Sequence, residues 1–346
     1  MRNSLRHLRL AALSSIVMAS TMKIRLLSEK DIRTVVPTAA EIVGLVEQAY
    51  RLDAAGKAEV PTKIGVHPDR PNTFLHAMPA WVGGETRALG MKWVSYFPGN
   101  FGQGIPDSHG IIVLNEPDHG QPCCFMEGMY VTFLRTAACA AVATKHLLPR
   151  APKSLGLVGC GGLGLWSLRI MSAVFPSLER VMVSSRTAAT RERFCAEMAR
   201  EGSWAIKPVS DPSQAMRDMD IVVSSVPPTE TFPLTGDAFT PGTAFIPLDV
   251  VNSWSDDVLQ MADRVVADDP PHFAKQVRAR SSQDFPAMRA PVLTQDLVMG
   301  KTARASETDR NIVAVCGIAS TDVVIGWEIY RRALAANVGV DFDIYG

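Results

Sequence analysis

The apolar positions of this 346-residue chain follow two different patterns, and the change between them divides the sequence into two halves. In the first half, short apolar runs are separated by Gly, Pro and Asp turns, which is typical of a meandering sheet. One helix is predicted between Ile42 and Tyr50, where apolar residues recur at helical spacing. The predicted strands of this half are Lys63–His67, Thr73–Ala77, Ala88–Tyr96, Gly110–Asn115 and Pro122–Glu127. The first half is therefore expected to be an α+β unit.

In the second half, strand and helix patterns alternate regularly. This alternation predicts an α/β fold with a parallel, doubly wound sheet of the Rossmann type. After a first strand that starts at Ser154, the predicted strands are Arg180–Ser184, Trp204–Val209, Asp220–Val226, Thr243–Leu248 and Arg264–Ala267. A helix rich in small residues, Thr132–Leu148, precedes this half. A last helix is predicted over Asn311–Ala336, and it is so apolar that it needs a packing partner, for which we expect the N-terminal unit.

A glycine turn follows the first strand of the second half and opens a helix. Its pattern is Gly159-x-Gly161-x-x-Gly164, with Gly162 and Leu163 before the last glycine. The first glycine permits the tight turn, the second lets the backbone approach a pyrophosphate, and the third lets helix and strand pack closely. The N-terminus of the helix then offers unpaired N–H groups to phosphates. We interpret the turn as a dinucleotide-binding site; the alternative is a glycine-rich turn that binds nothing.

The end of the next strand bears on the choice of cofactor. Enzymes that use NAD usually carry Asp or Glu about 20 residues beyond the glycines, where it accepts from the ribose 2′-OH. This chain instead has Ser185, Arg186 and Thr187. An arginine pairs with a 2′-phosphate that a carboxylate would repel, so NADP is preferred and NAD stays possible. The alternative is that Arg186 opens a helix and faces water.

Composition and charge exclude several classes of protein. The net charge is zero and the charges are spread along the chain, which argues against a nucleic-acid-binding surface. No apolar run approaches the length of a membrane span. The six cysteines form no C-x-x-C pair, which indicates reduced thiols and a cytoplasmic protein. The histidines have no metal-ligand spacing, so no metal site is predicted.

The first 21 residues allow two interpretations. A basic stretch up to Arg9 precedes a stretch of apolar and small residues up to Ser20, as in a short signal peptide. Met22 is nevertheless a natural start, because a strand and a helix capped by Ser28 follow it directly. We therefore favour a disordered extension or an upstream-start artefact over secretion.

Three segments resemble the ornithine cyclodeaminase/mu-crystallin family. They are Phe74–Ala80 with Lys92 beyond it, the stretch Pro106–Leu148, which contains the sequence RTAACAAVATKHL from Arg135, and Gly317–Asp322. Family members pass hydride through a C=N centre next to a carboxylate. They include cyclodeaminases, ketimine reductases, amino-acid dehydrogenases and opine-type synthases.

The resemblance also implies a domain layout. Residues 136–310 would form a Rossmann dinucleotide-binding domain, inserted into a substrate and dimerisation domain formed by residues 22–135 with 311–346. The C-terminal helix would complete the substrate domain. A homodimer that acts on a small imino, amino or keto acid is therefore expected.

Residues of the first half receive roles from the same resemblance. Lys92 is the family's substrate lysine, expected to hold the carboxylate or to act as acid/base at the nitrogen, although the residues alone equally allow an edge-strand charge. Arg135 would bind the carboxylate or the cofactor, with a structural salt bridge as the alternative. Lys63 stands where many relatives have a carboxylate-binding arginine. Ser108 and His109 fall where relatives face the nicotinamide, and His109 is a candidate proton donor or a structural residue. The expected substrate-side set is Lys63, Lys92, Arg135 and Cys316.

One segment departs from the family pattern. True cyclodeaminases carry a Gly-Asp-x-Pro-Gly-Lys type of sequence where this chain has Pro247–Trp254. Asp249 lies nearby in a different register, at the carboxyl end of a strand, and is expected to be a base, a ribose ligand or a helix cap.

Residues at the end of the fourth strand are expected beside the adenosine and ribose: Ser225, Val226 and Pro227.

We therefore predict an NADP-dependent oxidoreductase that transfers hydride at the C=N of an imino or amino acid. Two alternatives stay open. One is an ornithine cyclodeaminase that releases ammonia with a displaced Asp249. The other is a non-catalytic NADPH-binding protein. The sequence specifies neither the side chain of the substrate nor the direction of the reaction.

Overall fold

The computed structural model describes residues 23–228, 232–250, 252–280 and 290–344. Their strands form two sheets of eight strands each, one mixed and one entirely parallel. This combination confirms the predicted fold class. The sequence interpretations of the first 21 residues lie outside the described part of the chain. Within that part, none of the helices is long and apolar enough to cross a lipid bilayer.

The first sheet unites the first half of the chain with its C-terminal strand. Its strands are β1 (Lys23–Leu27), β2 (Ala58–Glu59), β3 (Ile64–Val66), β4 (Phe74–Val82), β5 (Ala88–Tyr96), β6 (Ser108–Asn115), β7 (Pro122–Glu127) and β16 (Val340–Asp343). They run in the order β16-β1-β7-β6-β5-β4-β2, and β3 also pairs with β4. The strand β16, which the sequence did not predict, pairs antiparallel with β1.

Two short-range signals set the helices that precede this meander. The helices α1 (Glu29–Val35) and α2 (Ala39–Ala54) begin after Ser28 and Thr38. Each of these hydroxyls accepts a backbone N–H from the first turn, and a first-turn carboxylate accepts from the cap in return. The cap predicted at Ser28 is therefore confirmed.

The second sheet has the strand order of a doubly wound fold. Its strands are β8 (Ser154–Val158), β9 (Arg180–Ser184), β10 (Ala205–Val209), β11 (Ile221–Ser224), β12 (Ala244–Pro247), β13 (Arg264–Ala267), β14 (Val292–Leu293) and β15 (Asn311–Ala314). They run in the order β10-β9-β8-β11-β12-β15-β13-β14. The order reverses between β8 and β11, and ligands of such sheets bind at this point, beyond the carboxyl ends of the strands.

The helices of the second half cover this sheet. They are α3 (Met129–Leu147), α4 (Gly162–Val174), α5 (Ala188–Met198), α6 (Asp256–Met261), α7 (Pro270–Arg280) and α8 (Thr294–Val298). The helix α3 carries the predicted small-residue run, and its alanines are fully buried. Small side chains allow this close packing between the two halves.

The predicted helix over Asn311–Ala336 is wrong in its first part. Asn311–Ala314 is the buried strand β15 between β12 and β13, and α9 (Ala319–Ala336) begins only after Gly317, whose φ is +80°. A short apolar run does not distinguish a buried strand from a helix, which explains the error. The helix α9 packs against the first sheet, as predicted; a Cβ built on Gly326 would lie 3.4 Å from Ile112. The division of the chain into domains stays a prediction.

The register divides the first sheet into two faces. Lys92 lies opposite Met78 on β4 and Ile112 on β6, and all three are buried on the inner face, beneath α9. The residues that alternate with these along each strand form the outer face, because successive side chains of a strand point to opposite sides of the sheet. Large apolar side chains of this outer face are between 40% and 70% exposed: Ile64, Val66, Trp93, Phe125, Val340 and Phe342.

Candidate active site

The glycine turn between β8 and α4 has the shape of a phosphate-binding cradle. Gly159 has a φ of +119°, and a Cβ built there would lie 2.4 Å from the carbonyl oxygen of Ser225. A Cβ built on Gly164 would lie 2.2 Å from the carbonyl oxygen of Gly159. Beside Gly161 the space is open, since no heavy atom lies within 4 Å of a Cβ built on it. Only glycine fits at positions 159 and 164, and Gly161 leaves room for a ligand to approach the backbone.

The start of α4 fits the same ligand. The helix begins at Gly162, and no side chain hydrogen-bonds to cap it. Its first N–H groups are therefore available to an anion. Gly162 also packs against α3, since a Cβ on it would lie 2.8 Å from the ring of Phe133, while Leu163 is partly buried beside it. These residues fit a dinucleotide, whose pyrophosphate the turn would hold.

The end of β9 places three polar residues next to this turn. The N–H of Gly159 donates to Ser184, the last residue of β9, and Ser185, Arg186 and Thr187 follow directly. Thr187 caps α5. Arg186 is exposed, and its guanidinium carbon lies 4.7 Å from the centroid of the Phe101 ring. Phe101 belongs to the loop between β5 and β6, so this contact joins the two halves at the cofactor end.

Asp249 lies just beyond β12 and holds the loop that follows β11. Its carboxylate accepts the N–H of Val226 at 3.1 Å and the hydroxyl of Ser253 at 2.9 Å. Burial raises the pKa of Asp249 to about 6. Because α6 begins only at Asp256, Asp249 does not cap a helix. The carboxylate therefore fixes the predicted cofactor loop from Ser225 onward.

A buried ionic cluster of Lys92, Arg135 and Asp322 lies on the inner face of the first sheet. One oxygen of Asp322, Oδ1, accepts from Lys92 Nζ at 2.7 Å and from Arg135 Nε at 3.0 Å. The three residues come from β5, α3 and α9, and all are buried. The other oxygen, Oδ2, has no hydrogen-bond partner among the described residues. Lys92 is thus no edge-strand charge, and the salt bridge considered for Arg135 exists.

The surroundings of Lys92 change its acidity. Burial and the neighbouring charge of Arg135 lower the pKa of Lys92 to about 7, against the opposite effect of Asp322. A lysine in this range exchanges its proton readily near neutral pH, which an ordinary surface lysine does not. The cluster therefore contains one permanent cation and one group that can donate or accept a proton.

Lys63, the residue before β3, contacts the turn that precedes α9. Its Nζ donates to the backbone carbonyl of Cys316 at 2.7 Å. Asp268, at the end of β13, accepts the N–H groups of Cys316 and Gly317 at 2.7 and 3.0 Å. The turn before α9 is therefore held from both halves, and Cys316 contributes its backbone rather than its thiol.

A cavity of about 160 Å³ adjoins the ionic cluster. Lys63, Asp268 and Gly317 line it together with Met78. Met78 lies opposite Lys92 in the sheet, and a Cβ on Gly317 would lie 2.3 Å from a terminal nitrogen of Arg135. The cavity is therefore large enough for a small ligand group and lies between the two sheets. In the described ranges, no three His, Cys, Asp or Glu side chains group as they would around a metal ion.

The register corrects the role expected for His109. This histidine lies opposite Ser95 and is exposed on the outer face, whereas Lys92 is on the inner face. Alternation along the strand separates the two side chains, so we assign no proton-donor role to His109. Ser108, by contrast, lies opposite Tyr96 on the same face as Lys92.

Asp322 is absent from the predicted set of site residues, because the sequence suggested a cap of the last helix, with a place at the active-site wall as the alternative. An acid in the first turn of a helix is usually explained by the helix dipole, and this explanation hides a tertiary role. The available signal was a single charged residue in an otherwise uncharged turn, and the structure buries Ala319, Ser320, Thr321 and Val323 as fully as Asp322 itself. A buried carboxylate requires a cationic or hydrogen-bonding partner, and the chain offers Lys92 and Arg135.

Comparison with known proteins identifies relatives over most of the chain. The model of the ornithine cyclodeaminase/mu-crystallin family matches residues 22–337. The nodulation efficiency protein NfeD of Rhizobium meliloti is 33% identical over 317 residues, which cover 91% of this chain and 97% of that protein.

Two solved structures share the fold. The Δ1-pyrroline-2-carboxylate reductase of Thermococcus litoralis, in complex with NADH and L-proline, has a TM-score of 0.84 at 24% identity and covers 92% of this chain and 100% of its own. An archaeal alanine dehydrogenase dimer with bound NAD has a TM-score of 0.83 at 24% identity, with coverages of 93% and 100%. At this level of identity the likeness demonstrates the fold alone.

Replacing Lys92 with methionine should change how the stability of the protein depends on pH. The pKa of Lys92 is about 7 in the folded protein, against 10.5 for an ordinary lysine. Between these values the unfolded chain holds a proton that the folded chain lacks, so the free energy of unfolding rises with pH. Lys92→Met removes this contribution, and the rise should become smaller.

Urea unfolding at about pH 7 and about pH 9 measures this difference. Lys207→Met is the matched control, because Lys207 is exposed on β10 and should leave the wild-type slope unchanged. Identical pH dependence in the wild type and in Lys92→Met would contradict the assigned acidity of Lys92.

Proposed function

Because the chain belongs to the ornithine cyclodeaminase/mu-crystallin family, we propose that it is a nicotinamide-dependent oxidoreductase of small imino and amino acids. In the direction of reduction, hydride reaches the carbon of a C=N bond that stands next to a carboxylate. The observation that supports this most strongly is the buried ionic cluster, which offers a fixed cation and a lysine of lowered pKa in one place. The reductase and the dehydrogenase that share the fold are named for reactions of this class.

Arg135 and Lys63 would bind the substrate carboxylate. Arg135 uses its Nε for Asp322, which leaves its two terminal nitrogens for another acceptor. Lys63 uses one of its three N–H donors for the carbonyl of Cys316 and keeps two. Lys63 lines the cavity, and Arg135 lies against Gly317 in the cavity wall. Charge-assisted hydrogen bonds from two cations would fix the orientation of the acid.

Lys92 would supply the proton that the reduction needs. When bound, the reduced nicotinamide supplies the hydride. Reduction of C=N to CH–NH also needs one proton at the nitrogen, and the Lys92 ammonium would donate it and become a neutral amine. Asp322 holds Nζ in place for this transfer, at 2.7 Å from its own Oδ1. In the reverse direction, neutral Lys92 would take the proton from the amine.

Ornithine cyclodeamination is the second candidate, and the local sequence speaks against it. The segment from Pro247 to Trp254 lacks the Gly-Asp-x-Pro-Gly-Lys pattern. The carboxylate of Asp249 instead accepts hydrogen bonds from the N–H of Val226 and the hydroxyl of Ser253. We therefore propose Asp249 as a residue that positions the cofactor loop. A non-catalytic NADPH-binding protein is the third candidate, and it gives no reason for the proton-exchanging Lys92.

The preferred cofactor in this proposal is NADP. Arg186 stands exposed beside the glycine turn, where a 2′-phosphate would meet it, and no acid occupies the end of β9. The ring of Phe101 covers one face of the guanidinium and would hold it for bidentate pairing. NAD stays the alternative, since the structures that share the fold contain NADH or NAD.

A homodimer and a cytoplasmic location belong to the same proposal. The outer face of the first sheet exposes six large apolar side chains on one surface, which is typical of an interaction site. A second copy of the chain would cover it, and the alanine dehydrogenase that shares the fold is a dimer. The six cysteines are free thiols, in keeping with a reducing compartment.

Oxidation of NADPH against a panel of substrates tests the function. The panel contains Δ1-pyrroline-2-carboxylate and small 2-keto acids with ammonium or methylamine. We expect turnover by the wild type, and a loss of about a hundredfold or more in kcat/KM for Lys92→Met, because the proton donor is removed. Lys207→Met should keep wild-type activity.

Three other outcomes would contradict the proposal. If Lys92→Met kept the kcat/KM of the wild type, Lys92 would not be the proton donor. Release of ammonia from ornithine without net change of the cofactor would establish the cyclodeaminase. Binding of NADPH with no turnover on the whole panel would establish the non-catalytic protein.

Replacing Arg186 with alanine should weaken the binding of NADPH but not that of NADH. The 2′-phosphate loses its cationic partner, so we expect KM for NADPH to rise about tenfold while KM for NADH stays nearly unchanged. Arg193→Ala is the control, since Arg193 is an exposed arginine on α5, the helix that follows Arg186. An equal rise for both cofactors, or none for NADPH, would rule out the proposed role.

Placing charge on the outer face should separate the dimer. A double variant, Ile64→Glu with Trp93→Glu, would bury two carboxylates in an apolar interface, so we expect a monomer by size-exclusion chromatography with light scattering. Leu334→Glu is the matched control, because Leu334 is 45% exposed on α9, away from this face. A dimer that survives the double change would show that the interface lies elsewhere.

A further inference from the structure

His76 lies on the same face of the sheet as Lys92. In the pairing of β4 with β5, Met78 is opposite Lys92 and His76 is opposite Val94. His76 is therefore the next inner-face residue along β4, about 7 Å from Met78. In the sequence, His76 belongs to the segment Phe74–Ala80 of the family resemblance and has no metal-ligand spacing, but it received no role, and the function argued above does not use it.

The imidazole of His76 is held in a fixed position. Its ring stacks on Phe74 with 4.1 Å between the centroids and 13° between the planes. On β3, a Cβ built on Gly65 would lie 2.2 Å from the ring. The absence of a side chain at Gly65 thus allows the ring to lie against the backbone of β3. Packing on two sides restricts the ring without using its nitrogens.

Both ring nitrogens of His76 lack a hydrogen-bond partner in the described part of the chain, although the side chain is half-buried. Burial and neighbouring cations lower its pKa to about 4, so the ring is neutral near neutral pH. A neutral imidazole offers one N–H donor and one acceptor. Apart from burial, the groups with the largest effect on the pKa of His76 are bases, namely Lys63, His67, Lys275 and Lys92, and His272 on α7 also interacts with the ring.

Two carboxylates of this region, those of Asp268 and Asp269, act on Lys63, but neither is among the groups with the largest effect on the pKa of His76. Asp268 acts on Lys63, but its two oxygens already accept the backbone N–H groups of Cys316 and Gly317. The surroundings of His76 therefore favour an oxygen that accepts hydrogen bonds, and a negatively charged oxygen above all.

We propose that His76 donates a hydrogen bond to a second oxygen-bearing group of the substrate, which makes it a specificity-determining residue for dicarboxylic 2-imino or 2-keto acids. The inference rests on the proposed function, in which Arg135 and Lys63 bind the first carboxylate. The second carboxylate would lie along the inner face, between His76 and two further bases, His67 after β3 and Lys275 on α7. The glycine turn does not compete for this group, since β13, which precedes α7, is four strands or about 19 Å from β8.

A nearly isosteric pair of acids tests this selectivity. Oxaloacetate carries a carboxylate where 2-oxobutanoate carries a methyl group. With NADPH and ammonium, we expect the wild type to favour oxaloacetate by about tenfold or more in kcat/KM. His76→Phe keeps the stacking on Phe74 and removes the donor, so KM for oxaloacetate should rise about tenfold while 2-oxobutanoate changes less than about twofold. His76→Gln keeps an N–H donor and should restore most of the preference.

His119→Phe is the matched control, because His119 is an exposed histidine in the turn between β6 and β7 and has no assigned role. It should leave both KM values unchanged. Calorimetric titration of the two acids into the enzyme with bound NADP⁺ gives a readout that does not need turnover. A wild type that binds oxaloacetate selectively but reduces neither acid would contradict the proposed function and still support His76. Equal binding of both acids to the wild type, or an unchanged preference in His76→Phe, would overturn the role of His76.

Discussion

The site depends on one buried carboxylate oxygen, Oδ1 of Asp322, which lies between two cations. Lys92 and Arg135 are both buried bases, and the charge of either one alone would be strongly disfavoured there. The shared oxygen at 2.7 and 3.0 Å makes their coexistence possible. Because Asp322 is 230 residues from Lys92 and 187 from Arg135 along the chain, this contact also ties α9 to β5 and α3. The three side chains that join these elements are therefore the same ones that the proposed chemistry uses.

The placement of Asp322 in turn depends on the second sheet. The strand β15 ends at Ala314, and only four residues separate it from the first residue of α9. Asp268 at the end of β13 holds this short turn through two N–H groups, and Gly317 brings it against Arg135. A shift of β13 or β15 would displace Asp322 relative to Lys92. The parallel sheet, which carries the proposed dinucleotide site, thus also sets the geometry of the ionic cluster.

The sequence predicted those features that depend on neighbours along the chain. Strand and helix alternation, the cap at Ser28 and the turn from Gly159 to Gly164 all have local causes, and the structure confirms them. Features set by tertiary pairing were out of reach. Register decides that His76 lies on the inner face and His109 on the outer one, and neither residue's neighbours in sequence reveal this. The same limit applies to the partner of Asp322, and to β15, where burial on both faces made a strand resemble the start of a helix.

In the proposed reaction, the lowered pKa of Lys92 would allow the bound substrate to change its protonation state. In the free protein, burial and Arg135 favour the neutral amine. A substrate carboxylate beside Arg135 would offset that charge and favour the ammonium instead. Binding of the acid would thereby load Lys92 with the proton that the nitrogen requires, before hydride is transferred. An ordinary lysine would be protonated at all times and would hold its proton too tightly for this exchange. In the proposed mechanism, the surplus positive charge around Lys92 would therefore couple recognition of the acid to proton delivery.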